Sequence, residues 1–197
     1  MDRITKEQRS ELMSKIRGKD TTPELQVRRH LFAQGWRFRV CDRRLPGKPD
    51  IVIPKARTIV DVRGCFWHRH GCRDSTMPKS NIPFWMEKWS KNVLRDIRNE
   101  KAWREAGWNV LIVWQCALAN ALREKTLAKI GEKVAVWAEE SASGAKRRTP
   151  HILRIPAVAK AAKKSARRKT AKAALYPQPE PEALAAAENA PDWQYGR

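Results

Sequence analysis

Leu45-Pro46-Gly47-Lys48-Pro49-Asp50-Ile51-Val52-Ile53, a turn at Pro54-Lys55, and then Thr58-Ile59-Val60-Asp61-Val62-Arg63 decide how this 197-residue chain is read. Two β-branched runs separated by a proline-bearing turn predict neighbouring strands. Asp50 follows Pro-Gly and Pro at the mouth of the first run, so backbone of restricted dihedrals holds its carboxylate at the edge of the sheet. A carboxylate placed there suits Mg²⁺, a hard cation that takes oxygen ligands and serves phosphate chemistry. Taken alone, Pro-Asp reads first as an ordinary strand-start aspartate in a turn.

Working outward, the periodicities alternate between helix and strand. Arg3 to Ile16 places Leu12, Met13 and Ile16 on one face of a short polar helix. Thr22 offers an N-cap oxygen and Pro23 suits a first helical position, predicting a helix over 23–34 with Leu25, Val27, Leu31 and Phe32 on its apolar side. Trp36-Arg37-Phe38-Arg39-Val40 alternates as a half-buried strand does. Downstream, Trp85, Trp89, Val93 and Ile97 recur a turn apart and predict a helix over 84–106, ended by Gly107. Trp108 to Trp114 reads as a buried strand, and a last helix is expected over 119–139. This order predicts an α/β fold, a sandwich of sheet and helices.

Composition divides the chain. It carries 41 Lys and Arg against 21 Asp and Glu, a net charge of +20, with a pI near 10.4. Residues 145–172 hold no acidic side chain, and the Pro/Glu/Ala-rich remainder cannot bury enough apolar surface to offset its ordering entropy. The expected division is 1–22 as an N-terminal segment, 23–140 as the main domain, and 141–197 as a basic then Pro/Ala/Glu-rich tail, mostly disordered. Residues 1–144 remain strongly basic without the tail, so a polyanion is the natural partner of the domain itself. No apolar run is long enough to span a bilayer and no signal peptide is evident, which predicts a cytoplasmic, nucleoid-associated protein and no membrane partner.

Three of the four cysteines and two of the four histidines form one constellation, Cys65-Phe66-Trp67-His68-Arg69-His70-Gly71-Cys72 with the distant Cys116. Thiolates and imidazole in a closed set of four suit a structural Zn²⁺. In a reducing compartment such cysteines read as metal ligands rather than a disulfide framework, and Cys41 is left as a spare thiol. Spacing alone does not choose between His68 and His70. Phe66 and Trp67 serve no metal, and two bulky aromatics beside a rigid clamp in a basic chain point to DNA.

Asp50 and then Asp61-Val62-Arg63 match the carboxylate and second acidic strand of metal-dependent nucleases of the PD-(D/E)xK type, with Arg63 where that pattern has lysine. The resemblance becomes specific when Leu45–Asp50, Gly64–Cys72, Phe84–Lys88, Lys91–Asp96 and Gly107–Leu118 are taken together. In this order they resemble the very short patch repair mismatch endonucleases, over about residues 5–140.

That resemblance implies a restriction-endonuclease-like α/β/α core and a monomeric enzyme that nicks one strand beside the thymine of a T·G mismatch, the product of 5-methylcytosine deamination. It implies Mg²⁺ held by Asp50 and the Val62 carbonyl, His68 as acid/base oriented by Asp96, and Glu24 completing the acidic network. Zn²⁺ would be held by Cys65, His70, Cys72 and Cys116. Phe66, Trp67 and Trp85 would wedge into the base stack, Met13 would enter the opposite groove, and Lys88 and Asn92 would lie near the mismatched bases. Other repair proteins are candidate partners. The well-known member of that family has histidine where Arg63 stands and threonine where Val62 stands. A guanidinium cannot act as a base and repels Mg²⁺, so lower metal affinity or rate is expected. Two rival readings remain: a nickase with another target, and a zinc-clamped DNA binder whose catalysis has lapsed at Arg63.

Overall fold

Strand alternation sends Ile51, Ile53 and Val60 to one face of a sheet and Val52 and Ile59 to the other, and each set meets its own layer of helices. The computed structural model describes residues 5–16, 18–143 and 150–155. Its elements are α1 (Lys6–Ser14), α2 (Thr22–Ala33), β1 (Arg39–Val40), β2 (Ile51–Ile53), β3 (Thr58–Arg63), α3 (Ile82–Glu105), β4 (Asn109–Trp114), α4 (Arg123–Ala142) and β5 (Ile152–Ile155). The five strands lie side by side in chain order. β1, β2 and β3 pair antiparallel, while β3, β4 and β5 run parallel.

One apolar cluster joins Val27 and Leu31 of α2 with Ile130, Val134 and Trp137 of α4 beneath Ile51, Ile53, Val60, Leu111 and Val113. The other packs Trp103 of α3 with Val52, Ile59, Val110 and Ile112 on the opposite face. The result is a mixed α/β fold with one sheet between two helical layers. Among the described residues no helix is long and apolar enough to cross a membrane.

Several boundaries differ from expectation. Of Trp36–Val40 only Arg39 and Val40 form a strand, because β2 is three residues long and offers partners to those two alone. Trp36 and Phe38 still pack on the core. The N-cap of α2 is Thr21, and its hydroxyl donates to Glu24 Oε1 at 2.6 Å instead of capping the helix. α4 starts at Arg123, because a 3-10 turn over Gln115–Leu118 occupies the chain after β4.

The largest difference lies in the tail. Ile152–Ile155, inside the stretch expected to be disordered, forms β5, which pairs with β4 from Val110↔Ile152 to Val113↔Ile155. Ile155 is 3% exposed in the core. Two basic runs and the Pro/Ala/Glu-rich remainder hide this tetrapeptide of three apolar residues and Arg154 when composition is averaged. Residues 144–149 and 156–197 lie outside the described residues.

The loop before β2 is anchored to α3. Trp103 Nε1 donates to the Pro46 carbonyl at 2.8 Å, and a Cβ at Gly47 would fall 2.1 Å from the Asn99 amide. Gly47 also has φ +72, so a side chain there meets both a clash and strain. This anchoring fixes where Asp50 emerges.

Candidate active site and metal clamp

β3 outruns β2. The ladder between them ends at Ile51↔Val60, so Asp61, Val62 and Arg63 continue with only β4 beside them. The Val62 N–H left over on that open edge donates to Asp50 Oδ2 at 2.8 Å. A residue's N–H and C=O leave a strand on the same edge, so the Val62 carbonyl lies on the side of the Asp50 carboxylate.

Burial is the chief cause that raises the Asp50 carboxyl. Asp61 and, to a smaller extent, Glu24 add to it, against the Val62 N–H and Arg28, and the group is pushed up to about 8. An acid held this far from its ordinary range by burial and neighbouring carboxylates is a place where a cation gains by binding. These oxygen donors fit a hard divalent ion such as Mg²⁺.

Glu24, in the first turn of α2, is buried at 4% exposure. Its oxygens accept from the Thr21 hydroxyl at 2.6 Å, the Asp20 N–H at 3.0 Å and Arg28 Nη2 at 2.9 Å. Both oxygens are engaged, so Glu24 shapes the field around Asp50 while its geometry stays fixed.

α3 faces this edge across a cleft of about 1050 Å³ lined by Asp50, Asp61, Val62, His68, Asp96, Trp67, Lys88 and Asn92, among others. His68 Nδ1 and Asp96 Oδ2 lie 2.6 Å apart. With Nδ1 committed to the carboxylate, Nε2 is the nitrogen left for proton transfer. His68 thus belongs to the cleft, and His70 to the metal clamp.

Above the pair is an aromatic cluster. Phe66 packs edge-on against Trp67, Trp85 and Trp89 at centroid distances of 5.2, 5.1 and 5.3 Å. Trp89 is buried at 1% exposure and Phe84 is 47% exposed, so the cluster has a fixed foot and an open rim. Lys88 Nζ sits 5.4 Å from the Trp67 ring centroid and 5.8 Å from that of Trp85. Asn92 Nδ2 donates to the Trp67 carbonyl at 3.0 Å and ties the aromatic loop to α3. Met13 is exposed on α1.

Parallel register assembles the clamp. Arg63 pairs with Trp114, so two residues further on Cys65 and Cys116 leave their strands side by side, and the Cys116 N–H points at Cys65 Sγ at 3.4 Å. The loop then returns His70 and Cys72 to the same point, and the donor atoms of Cys65, His70, Cys72 and Cys116 all lie within 4.8 Å of one another. His70 stacks on Trp114 at 4.1 Å between centroids. The bond to Cys116, then burial, raises the Cys65 thiol, and burial raises that of Cys72. Crowded thiols of this kind are relieved when a soft cation takes them as thiolates, and three sulfurs with one imidazole fit Zn²⁺.

Sequence reasoning missed the setting of Arg63. Its side chain is 5% exposed, with Nε 2.7 Å from Asp61 Oδ2 and Nη1 2.8 Å from Glu100 Oε1 and 3.6 Å from Asp96 Oδ2. Burial opposes the charge, but Asp61, Asp96 and Glu100 outweigh it and raise the guanidinium further. Arg154 Nη2 of β5 completes the set at 2.6 Å from Glu100 Oε2. Arg63 is therefore a neutralised cation, a different situation from the free charge expected to repel Mg²⁺. The available signal was Glu100, one helical turn beyond Asp96 and so on the same face of α3.

An acidic strand edge, a histidine–aspartate pair and an aromatic rim sharing one cleft in a chain of net charge +20 define a class, the hydrolases of nucleic-acid backbones. Residues 1–74 match the family described as DNA mismatch endonuclease Vsr. The chain is 49% identical over 119 residues to the type II nicking enzyme V.NmeAIP of Neisseria meningitidis, covering 60% of this chain and 85% of that protein. It is 47% identical over 119 residues to the type II nicking enzyme V.XorIIP of Xanthomonas oryzae, covering 60% and 88%. Against the DNA mismatch endonuclease Vsr of Escherichia coli the identity is 43% over 130 residues, covering 66% and 82%. The chain belongs to the Vsr family and is a DNA endonuclease.

Proposed function

We propose that this endonuclease nicks one strand of duplex DNA beside the thymine of a T·G mismatch, by Mg²⁺-dependent hydrolysis of a phosphodiester on a restriction-endonuclease-like core. The carrying observation is that the Asp50–Val62 edge and the His68–Asp96 pair face one cleft that is also lined by Trp67, on which Phe66 and Trp85 pack. The relatives described as mismatch endonuclease and as nicking enzymes support the same reading.

Asp50 and the Val62 carbonyl would hold Mg²⁺, which when bound neutralises charge developing on the phosphate. His68 Nε2 gives its proton to the leaving oxygen, and Asp96 keeps the imidazole in the tautomer and orientation for that transfer. Glu24 and Arg28 fix the acidic surroundings of Asp50. Cys65, His70, Cys72 and Cys116 would hold a structural Zn²⁺. Phe66, Trp67 and Trp85 enter the base stack, where unstacking costs least at a mismatch, so the wedge selects the lesion as well as gripping it. Lys88 stands over the wedge and Asn92 holds it to α3, both within reach of the mismatched bases, while Met13 takes the opposite groove. Residues from 156 onward, basic in their first part, serve as a nonspecific DNA-holding arm.

The test is one gel. Incubation with Mg²⁺ and matched or T·G duplexes is expected to give a single-strand nick in the T·G duplex alone. Nicking of matched duplex with equal efficiency would replace the target, and nicking without a divalent cation would remove the metal.

Trp67→Ala is expected to reduce the preference for T·G over matched duplex, by roughly 1–3 kcal/mol for the lost stacking. Zinc content should not change. A folded, zinc-loaded variant with its preference intact would assign Trp67 to packing.

The raised carboxyl of Asp50 gives a pH dependence with a definite sign. Its folded-state pKa of about 8 lies above the ordinary carboxylate value, so the stability it contributes as the neutral acid falls as pH rises toward 8. A cation must displace that proton, so Mg²⁺ is expected to raise the melting temperature more at pH 8.5 than at pH 6. An equal gain at both pH values, or an unchanged gain in Asp50→Asn, would place the Mg²⁺ site elsewhere.

A further inference from the structure

Three carboxylates and two guanidinium groups from three separate elements meet at one wall of the cleft, in more detail than charge balance requires. Arg63 leaves the end of β3 and is almost fully buried. Its Nε meets Asp61 on its own strand at 2.7 Å, and its Nη1 meets Glu100 of α3 at 2.8 Å. The same Nη1 lies 3.6 Å from Asp96 Oδ2, the oxygen that lies 2.6 Å from His68 Nδ1. Asp96 is thus held between the imidazole on one side and the guanidinium on the other. Glu100 is held in turn between Arg63 on Oε1 and Arg154 of β5 on Oε2.

We propose that Arg63 is the positioning residue of the His68–Asp96 pair, braced through Glu100 by Arg154, so that the C-terminal strand β5 is part of the catalytic frame. This rests on the reading of His68 and Asp96 as the proton-transfer pair. The guanidinium charge 3.6 Å from Oδ2 attracts the Asp96 carboxylate without hydrogen-bonding it, and the planar fork, tied by its own hydrogen bonds to Asp61 and Glu100, fixes where that charge sits. Buried ion networks contribute little net stability because desolvation offsets their attraction, and their best-attested use is to specify one arrangement. Here the arrangement specified is that of the carboxylate which orients the imidazole. β5 lies at the far edge of the sheet from β1 and adds no side chain to the lining of the cleft, yet its single arginine reaches the helix that carries Asp96.

Removing Arg63 itself leaves Asp61, Asp96 and Glu100 uncompensated in the interior, and Arg63→Met is expected to fold poorly for that reason. The test therefore acts on the outer arm in the full chain. Arg154 is half-exposed and its ion pair in the network is with Glu100. Arg154→Ala is expected to slow single-turnover nicking of a T·G duplex in Mg²⁺ by about tenfold, within the range that a small misplacement of a catalytic group costs. Affinity for the same duplex is expected to stay within about twofold of the parent, because an interaction felt only in the chemical step leaves ground-state binding alone. Arg154→Lys should restore most of the rate. Glu100→Gln should act in the same direction, and the double variant should lose less than the product of the two.

A second readout needs no nicking. The His68 Nδ1–H resonance in DNA-free protein is expected to shift in Arg154→Ala and to return in Arg154→Lys. If the parent nicks no duplex while this resonance still moves, the functional reading fails and the positioning stands. If rate and resonance both match the parent, or if affinity, melting temperature and rate all fall together, the network is a structural tie only and the proposal is overturned.

Discussion

Asp50→Ala is expected to lower Mg²⁺-dependent nicking by at least about a thousandfold while leaving affinity for the T·G duplex unchanged or slightly improved. The carboxylate is anchored by the Val62 N–H at 2.8 Å on an open strand edge, and burial with Asp61 and Glu24 makes its charge costly until a cation arrives. Removing it takes away the proposed anchor of that cation and leaves both the aromatic rim and the basic surface in place. A buried acid beside a phosphate is also a source of repulsion, so its loss favours the bound state. Asp50→Asn keeps the shape and removes the charge, and it should behave in the same way. Nicking rates in Mg²⁺ and band-shift affinities separate the two effects. Parental nicking by either variant would exclude Asp50 as the essential ligand, and a parallel collapse of binding would make it a structural residue.

How much of this was legible in the sequence depended on whether the signal was local. The strands of β2, β3 and β4, the long helix ended by Gly107 and the four clamp donors are written in short runs, and all are present in the structure. Spacing left the choice between His68 and His70 open, and only the family resemblance pointed to His70. The structure groups His70 with the cysteines, because parallel pairing of β3 with β4 carries Cys65 and Cys116 together while His68 meets Asp96 of α3. Arg63 was read by its charge alone and taken as an obstacle to Mg²⁺. Its partner Glu100 is 37 positions away in the chain, and Arg154, which meets Glu100 from the other side, is 54 positions beyond that, so the one-turn spacing of Asp96 and Glu100 on α3 was the only local hint. β5 was lost because four residues between two basic segments have too little periodicity to register, and it is the β4 edge that makes them a strand. The short β1 shows the converse, since Trp36–Val40 alternates correctly but only two of its residues find partners.

Cys116→Ser is expected to lower both zinc content and stability, and to disturb nicking through the loop that the metal holds. The chain between β3 and α3, residues 64–81, contains no helix or strand, yet it carries Phe66, Trp67 and His68. Within it the described hydrogen bonds are turns, such as His68 N–H to the Gly64 carbonyl at 3.1 Å and His70 N–H to the Cys65 carbonyl at 3.1 Å. Such turns do not fix a loop of this length, so its order draws on the four donors, on packing against Trp89 and Trp114, and on the ties of Trp67 to Asn92 and of His68 to Asp96. A bound ion stabilises only the folded chain, and a hundredfold loss of affinity corresponds to about 2.7 kcal/mol. For a domain of this size that is a fall of about 5–11 °C in melting temperature. Serine keeps the volume and removes the soft ligand, so a fall of this size reports the metal rather than a cavity. Loss of order in the loop releases His68 from Asp96 and Trp67 from Asn92 together, so nicking rate and T·G preference should decline in the same variant, unlike Asp50→Ala, where only the rate declines. Metal analysis, thermal melts and the matched-duplex comparison check each part. Folded protein without zinc, or a Cys116→Ser variant with parental zinc and melting temperature, would show that the cysteines are packing residues and that the loop is ordered by its aromatic contacts.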